Sequence, residues 1–174
     1  GQENLEVKLL VIDNWIKDLS AQIQQDLQAV GMNVTLDVQA APYPALAPSK
    51  DGSVLDFDVF LAPGDVSCFG TNADVHLSWF YGKNTDWCQG RSCWALAGDG
   101  KCDEFNEYLD QARKATDDAT RQEAYNKCFD IIAEEVPLYP LFHKKVLTGY
   151  WADKIEGFQA SPTTGLYFQD AKLK

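Results

Sequence analysis

The sequence predicts an α/β fold, a mixed sheet flanked by helices. Three observations predict it. Residues 6–39 read as strand, helix and strand; an apolar run at 57–62 stops at Pro63-Gly64; and two amphipathic helical patterns occupy 103–135.

The elements follow in order. "EVKLLVI" (6–12) is a strand. In 13–32, Trp15 or Ile16, Leu19, Ile23, Leu27 and Val30 recur at helical spacing. Asp13 or Asn14 can cap this helix, and Gly31 ends it. "NVTLDVQ" (33–39) alternates apolar and polar residues like a half-buried strand. Strand, helix and strand of these lengths make a βαβ unit with parallel strands. "APYPALAPSKDGS" (41–53) is a proline-rich connection, and "FDVFLA" (57–62) reads as a buried strand. "ADVHLSWFY" (73–81) predicts a short helix. Residues 82–101 have no clean period and read as a long loop stapled by disulfide. Phe105, Tyr108, Leu109 and Ala112 line one helix face; Ala124, Tyr125, Cys128, Ile131 and Ile132 line the next, which Pro137 ends. "PLYPLFHKKVLTGYW" (137–151) predicts one or two short strands with Tyr139 and Phe142 in the core and His143 as a satisfied structural histidine. The tail from 161 reads as mostly irregular.

A length of 174 residues with 45% apolar content suits one domain, 1–174, with a real core. A net charge of −11 argues against nucleic acid as a partner, since a phosphate backbone demands a basic face. No apolar run reaches the ~20 residues of a membrane helix. The opening "GQENLEVKLL" has neither Met nor a signal peptide, which points to a processed or tag-cleaved start. Of five cysteines, Cys68, Cys88, Cys93 and Cys102 share one loop-rich stretch. There is no C-x-x-C pair and the histidines are only His76 and His143, so the expectation is no metal, no cofactor and an oxidising compartment. Cys88, Cys93 and Cys102 are the disulfide candidates, with Cys88–Cys102 or Cys93–Cys102 as pairings and Cys68 able to join. A bridge across this loop would restrict the unfolded chain by ~3 kcal/mol on the entropic account. The odd thiol is assigned to Cys128, a small hydrophobe in a helix.

No phosphate loop, nucleophile elbow or zinc-protease helix is present, so the expectation is no enzyme. Open α/β sheets bind ligands outside the carboxyl ends of their strands, which brings the residues after 62 forward. Gly64, Asp65, Cys68, Phe69, Asn72, Asp74 and Trp79 are the candidate ligand residues. By residue type alone, a loop aspartate such as Asp65 more often satisfies its own turn. Trp79, Phe80, Tyr81, Trp87 and Trp94 either face a ligand or form a satellite core under the loop.

Several stretches carry a family resemblance across nearly the whole chain. "LSAQIQQDLQAVGMNVTLDVQ", "FDVFLAPGD", "ARKATDDATRQEAYNKCFDIIAEEVPLYPLFH" and "IEGFQASPTT" resemble runs of the C-terminal lobe of the family 5 extracellular solute-binding proteins, the dipeptide- and oligopeptide-binding proteins of ABC importers. Arg121, Tyr125, Pro137 and Pro140 fall at the family's offsets. Ala62-Pro63 replaces its Gly-Trp, "TNAD" its Asp-Pro, and Asn106 an acid. The resemblance implies one lobe of a periplasmic-binding-protein type II fold that closes by a hinge over a small-molecule ligand, a peptide. It implies that Asp65 neutralises the peptide ammonium, with Asp74 as fallback, and that a cysteine pair sits in the 82–102 loop. It implies an ABC permease and a missing N-terminal lobe as partners, and an extracellular or periplasmic, lipoprotein-anchored parent. The chain would then be a fragment of a larger two-lobe protein that folds alone but binds weakly or not at all. Oligosaccharide, nickel chelate and haem are alternative ligands. A secreted, disulfide-stapled interaction domain without a cleft is the alternative of another class.

Overall fold

The structure is a computed structural model that describes residues 4–41, 56–64, 69–143, 145, 147–160 and 166–174. It divides into two compact units, one of residues 1–64 with 73–138 and one of 65–72 with 139–174.

In the first unit, β1 (Leu5–Ile12), α1 (Lys17–Ala29) and β2 (Met32–Gln39) form the expected βαβ element. β3 (Val59–Leu61) completes a parallel sheet of order β2-β1-β3. The register pairs Val7 with Val34, Leu9 with Leu36 and Val59, and Val11 with Val38 and Leu61. The two-residue period therefore puts Val7, Leu9, Val11, Val34 and Leu61 on one face, where Ile16 and α1 residues Leu19, Ile23 and Leu27 cover them. Burial of this face is the main stabilising term of the layer, as the ladder alone contributes little net free energy. On the other face Lys8 Nζ sits 2.6 Å from Asp56 and 3.6 Å from Asp37.

Three local expectations change here. β3 has three residues, not six; Val59 is 47% exposed and only Leu61 is buried. Its start is fixed by Asp58, whose N–H donates to the Lys8 carbonyl (3.0 Å) and whose carboxylate accepts the Lys8 N–H (2.7 Å). A side chain thus takes over the ladder one residue early. The first residue before α1 is Ile16, without a side-chain cap; Asn14 Oδ1 accepts the Ile16 N–H (2.9 Å) and Asp13 pairs with Lys17 (2.9 Å). Val30 lies past the helix end and is exposed, because Gly31 turns the chain with φ +91°.

Next come α2 (Ala73–Tyr81), a π-helical turn (Trp87–Arg91), a 3₁₀ turn (Trp94–Leu96), α3 (Lys101–Lys114) and α4 (Asp118–Glu135). The predicted loop is therefore partly helical. The two bounded helices at 73–81 and 118–135 lie where periodicity puts them. Phe105 is fully buried between Trp94 and Tyr81, with ring centroids at 5.5 and 5.8 Å. Leu77, Cys88, Cys102, Leu109, Cys128 and Ile131 complete that core. Arg121 closes the α3–α4 turn, donating to the Ala115 carbonyl (2.9 Å) while pairing with Asp118 (2.5 Å).

In the second unit, β4 (Ile155–Glu156) pairs with β7 (Lys172–Leu173), and β5 (Gln159–Ala160) with β6 (Leu166–Tyr167), both antiparallel. The tail expected to be irregular thus carries short ladders. Gly157 has φ +70°, and a Cβ there would lie 2.0 Å from the Asp170 carbonyl oxygen, so only glycine fits. Among the described residues of 137–151 there is no strand, contrary to expectation. Pro137 and Pro140 each remove a backbone donor from that run. Tyr139 (77%) and Phe142 (52%) are exposed, as is His143, and none is a core residue.

Two predictions follow from this packing. Phe105→Ala should destabilise the chain by about 3–5 kcal/mol in urea unfolding, because the cavity is hemmed by rings that cannot collapse into it. Asp117, before α4, accepts the Thr120 N–H and hydroxyl, both at 2.8 Å. These hydrogen bonds, the backbone one first, hold its carboxyl below the usual carboxylate range. A lowered folded-state pKa adds stability above the unfolded-state value, and that stability is lost as pH falls through the folded one. Asp117→Ala should therefore lower Tm at about pH 7 and leave it unchanged near about pH 2; equal losses at both pH values would contradict the capping role.

Candidate functional site

β3 carries the chain to Gly64, the last described residue before the predicted ligand loop. A Cβ on Gly64 would stand 3.5 Å from the Phe80 ring and 3.8 Å from the Trp87 ring, ordinary contact. The strand end therefore abuts two aromatics contributed by α2 and the π-helical turn. Phe80 and Trp87 meet edge to face at 4.9 Å, and the Arg91 guanidinium lies 4.2 Å above the Trp87 ring.

Helix α2 presents Asp74 in its first turn. Arg113, the penultimate residue of α3, donates from Nε to Asp74 (2.6 Å), from Nη1 to Asp110 (3.2 Å) and from Nη2 to the Ser78 hydroxyl. The hydrogen bond to Asp74 leads in raising the Arg113 pKa. Asp74 thus has a cationic partner within the fold. Leu77, from the same helix, is buried beneath this network and Trp79 is 51% exposed.

The loop that follows is tied down from several sides. Lys83 pairs with Asp103, and its N–H donates to Asn106 Oδ1 (3.1 Å). Asn106 in turn donates to the Cys102 carbonyl (2.7 Å). At this position, where the family carries an acid, an amide both gives and accepts, which a carboxylate could not do. The Cys88 and Cys102 sulfurs lie 3.4 Å apart and buried, as free thiols. Burial, then the hydrogen bond with Cys102, pushes the Cys88 thiol up to about 12. Burial raises Cys102 and Cys93 as well, while the contact with Cys88 works in the opposite direction on Cys102. Cys128 is pushed up to about 11 by burial, in keeping with its assignment as a core hydrophobe.

Of the candidate ligand residues, Gly64, Asp74 and Trp79 belong to the first unit; Phe69 and Asn72 belong to the second. Phe69 is half-buried and Asn72 exposed. Asp65 and Cys68 lie outside the described residues. Among the loop aromatics, Trp87 and Trp94 are buried and Tyr81 packs against the core, which is the satellite-core reading; Trp79 is the exposed member. Sequence reasoning did not single out Arg91, Arg113 or Asn106 as more than framework. No local signal marks Arg113, since its partner Asp74 is 39 residues away. Among the described residues no group of three or more His, Cys, Asp or Glu could hold a metal ion. A shallow depression of 450 Å³ lies at the amino ends of β1 and β2, lined by Asn4, Glu6 and Asn33, away from the strand end where ligands are expected.

A parallel sheet flanked by helices and followed by a helical hairpin defines the class: the chain has the fold of one lobe of a type II periplasmic binding protein. Its fold is similar to that of NikA from Staphylococcus aureus, solved with Ni(L-His)2, with a TM-score of 0.55 at 14% identity over 77% of this chain and 26% of that one. In sequence it is 34% identical over 71 residues to the glutathione-binding protein GsiB of Escherichia coli K12 and to that of Shigella flexneri. That match covers 41% of this chain, and the chain spans 14% of the length of these curated relatives. No family model matches. Both likenesses bear out the resemblance read in the sequence, each over part of this chain. Both relatives are binding proteins rather than enzymes.

The cysteine environments set an order of reactivity. In reduced, folded protein, iodoacetamide should modify the half-buried Cys93 ahead of Cys88 and Cys128, read by peptide mass mapping over time. Modification of Cys88 at the rate of Cys93 would show that the π-helical turn opens readily.

Proposed function

We propose that this chain is the substrate-binding lobe of an ABC-importer solute receptor that takes up peptides by closing over them. The similarity to a glutathione-binding protein carries this reading, since glutathione is a tripeptide with a free ammonium and two carboxylates. Asp65, four residues after the end of β3 in sequence, is the proposed partner of the ligand ammonium; an ammonium taken into a closed cleft requires a paired carboxylate. Asp74 suits that task less, because Arg113 already neutralises it at 2.6 Å. The remaining contacts are proposed for Gly64, Cys68, Phe69, Asn72 and Trp79. The N-terminal lobe of the parent supplies the other wall of the cleft, and a membrane permease receives the closed form. The parent is placed outside the cytoplasm, periplasmic or extracellular, and anchored as a lipoprotein.

In that compartment we further propose that Cys88 and Cys102 form a disulfide. The 3.4 Å separation of their sulfurs, 14 positions apart in sequence, favours this pairing over Cys93–Cys102. Mass mapping of non-reduced protein should find the Cys88–Cys102 cross-link; five free thiols would exclude it.

A second reading, a nickel chelate as ligand, is favoured by the fold likeness to a protein solved with Ni(L-His)2. The two-lobe parent decides. Purified natively, then denatured, it should release short peptides identifiable by mass spectrometry, and an Asp65→Ala parent should release none. Release of a metal chelate, haem or sugar would overturn the peptide assignment. Unchanged peptide release by the variant would return Asp65 to a turn role.

A further inference from the structure

We propose that Arg91 and the Trp87 ring beneath it form a carboxylate-binding site at the carboxyl end of β3. The chain has three arginines. Arg113 is engaged by Asp74 and Asp110, and Arg121 by Asp118 and the Ala115 carbonyl. Arg91 makes no ion pair among the described residues, although the chain carries 26 acids against 15 lysines and arginines. Its contact is the Trp87 ring, 4.2 Å below the guanidinium carbon. Stacking uses the face of the guanidinium and leaves its N–H edge for a planar, two-oxygen acceptor.

The support under Arg91 is rigid. Trp87 is 9% exposed and wedged against Phe80. The turn that carries both residues is π-helical, a distortion frequent at functional sites. The Ser92 N–H and hydroxyl both donate to the Trp87 carbonyl (2.9 and 3.2 Å), and the Cys88 N–H donates to Thr85 (3.2 Å). Cys93 then takes a left-handed backbone, φ +57°, which a residue with a Cβ adopts only when its surroundings enforce it. Arg91 itself is half-buried, so a carboxylate there meets a partly desolvated cation and gains more than at an open surface.

The position fits a ligand rather than a fold contact. The Trp87 ring lies 3.8 Å from where a Cβ on Gly64 would stand, three residues past β3, and open α/β sheets bind their solutes beyond such strand ends. One guanidinium on a net-negative chain matches a singly charged carboxylate better than a phosphate, which calls for more cations. That the carboxylate belongs to an imported solute rests on the importer reading above; the site's chemistry does not.

The test uses the 174-residue chain and N-acetyl-diglycine, which has a carboxylate and no ammonium, against its carboxyl-terminal amide. Nitrogen-15 spectra follow the Trp87 indole N–H and the Arg91 Nε–H. The acid should shift both saturably and the amide neither. Arg91→Gln should weaken acid binding about tenfold or more, and Arg91→Lys, which keeps charge but loses the fork, should fall between. Equal responses to acid and amide, no saturable shift at about 100 mM probe, or unchanged affinity in Arg91→Gln would each overturn the site. If Arg91→Gln disturbs the Phe105 core, the acid–amide comparison on the wild-type chain decides alone. Because the probe needs neither Asp65 nor a second lobe, its failure leaves the importer reading to the released-ligand experiment.

Discussion

Phe105 is the point on which the helical layer of the first unit depends. Its ring is fully buried, Trp94 and Tyr81 close on it from the loop and from α2, and the Cys128 thiol donates to its carbonyl across 3.7 Å. α2, the loop, α3 and α4 thus meet at one residue, through its ring and its carbonyl. The consequence reaches the strand end. The loop that packs against Phe105 through Trp94 also carries Trp87, whose ring lies beside Gly64 together with that of Phe80. A rigid core contact is therefore converted into a fixed wall beside the position where β3 delivers the chain.

The motifs that carried the family resemblance turn out to be largely structural devices. Arg121 closes the α3–α4 turn, Tyr125 packs on the core, Pro137 and Pro140 deny the following run a ladder, and Gly157 avoids the Asp170 carbonyl. Asp58 pins the register of β3 with its own carboxylate. Such residues recur at fixed spacing because geometry admits few substitutes. They identify a scaffold and say little about its ligand.

The legible parts of the chain were those with a strong local signal. The apolar face of α4 follows from its helical period and its end from Pro137, two residues past Glu135. The sequence left the pairing among Cys88, Cys93 and Cys102 open, and it is the packing of the turn on α3 that brings Cys88 and Cys102 together. What local pattern could not give was long-range electrostatics. Asp74 looked like an available acid until Arg113, on another helix, appeared beside it. The apolar run at 137–151 looked like strand and core, yet its two prolines leave Tyr139 and Phe142 exposed. Asn106 read as a missing acid, whereas its amide bridges two backbone groups that an acid could not serve together.

The treatment of charge separates framework from site. Where the fold needs a charge for itself, it supplies the partner: Lys8 with Asp37 and Asp56, Lys83 with Asp103, Arg113 with Asp74. These pairs are partly exposed, so each adds little stability and mainly fixes geometry. Lys114, Lys127 and Lys154 also make no ion pair among the described residues, but they are exposed, whereas Arg91 is half-buried. Its cation is held over an aromatic face, at a position braced by an unusual backbone, beside the end of a parallel strand. The stack on Trp87 stabilises the cation itself and leaves its N–H edge without an anion. That edge fits an acceptor that comes from outside the chain.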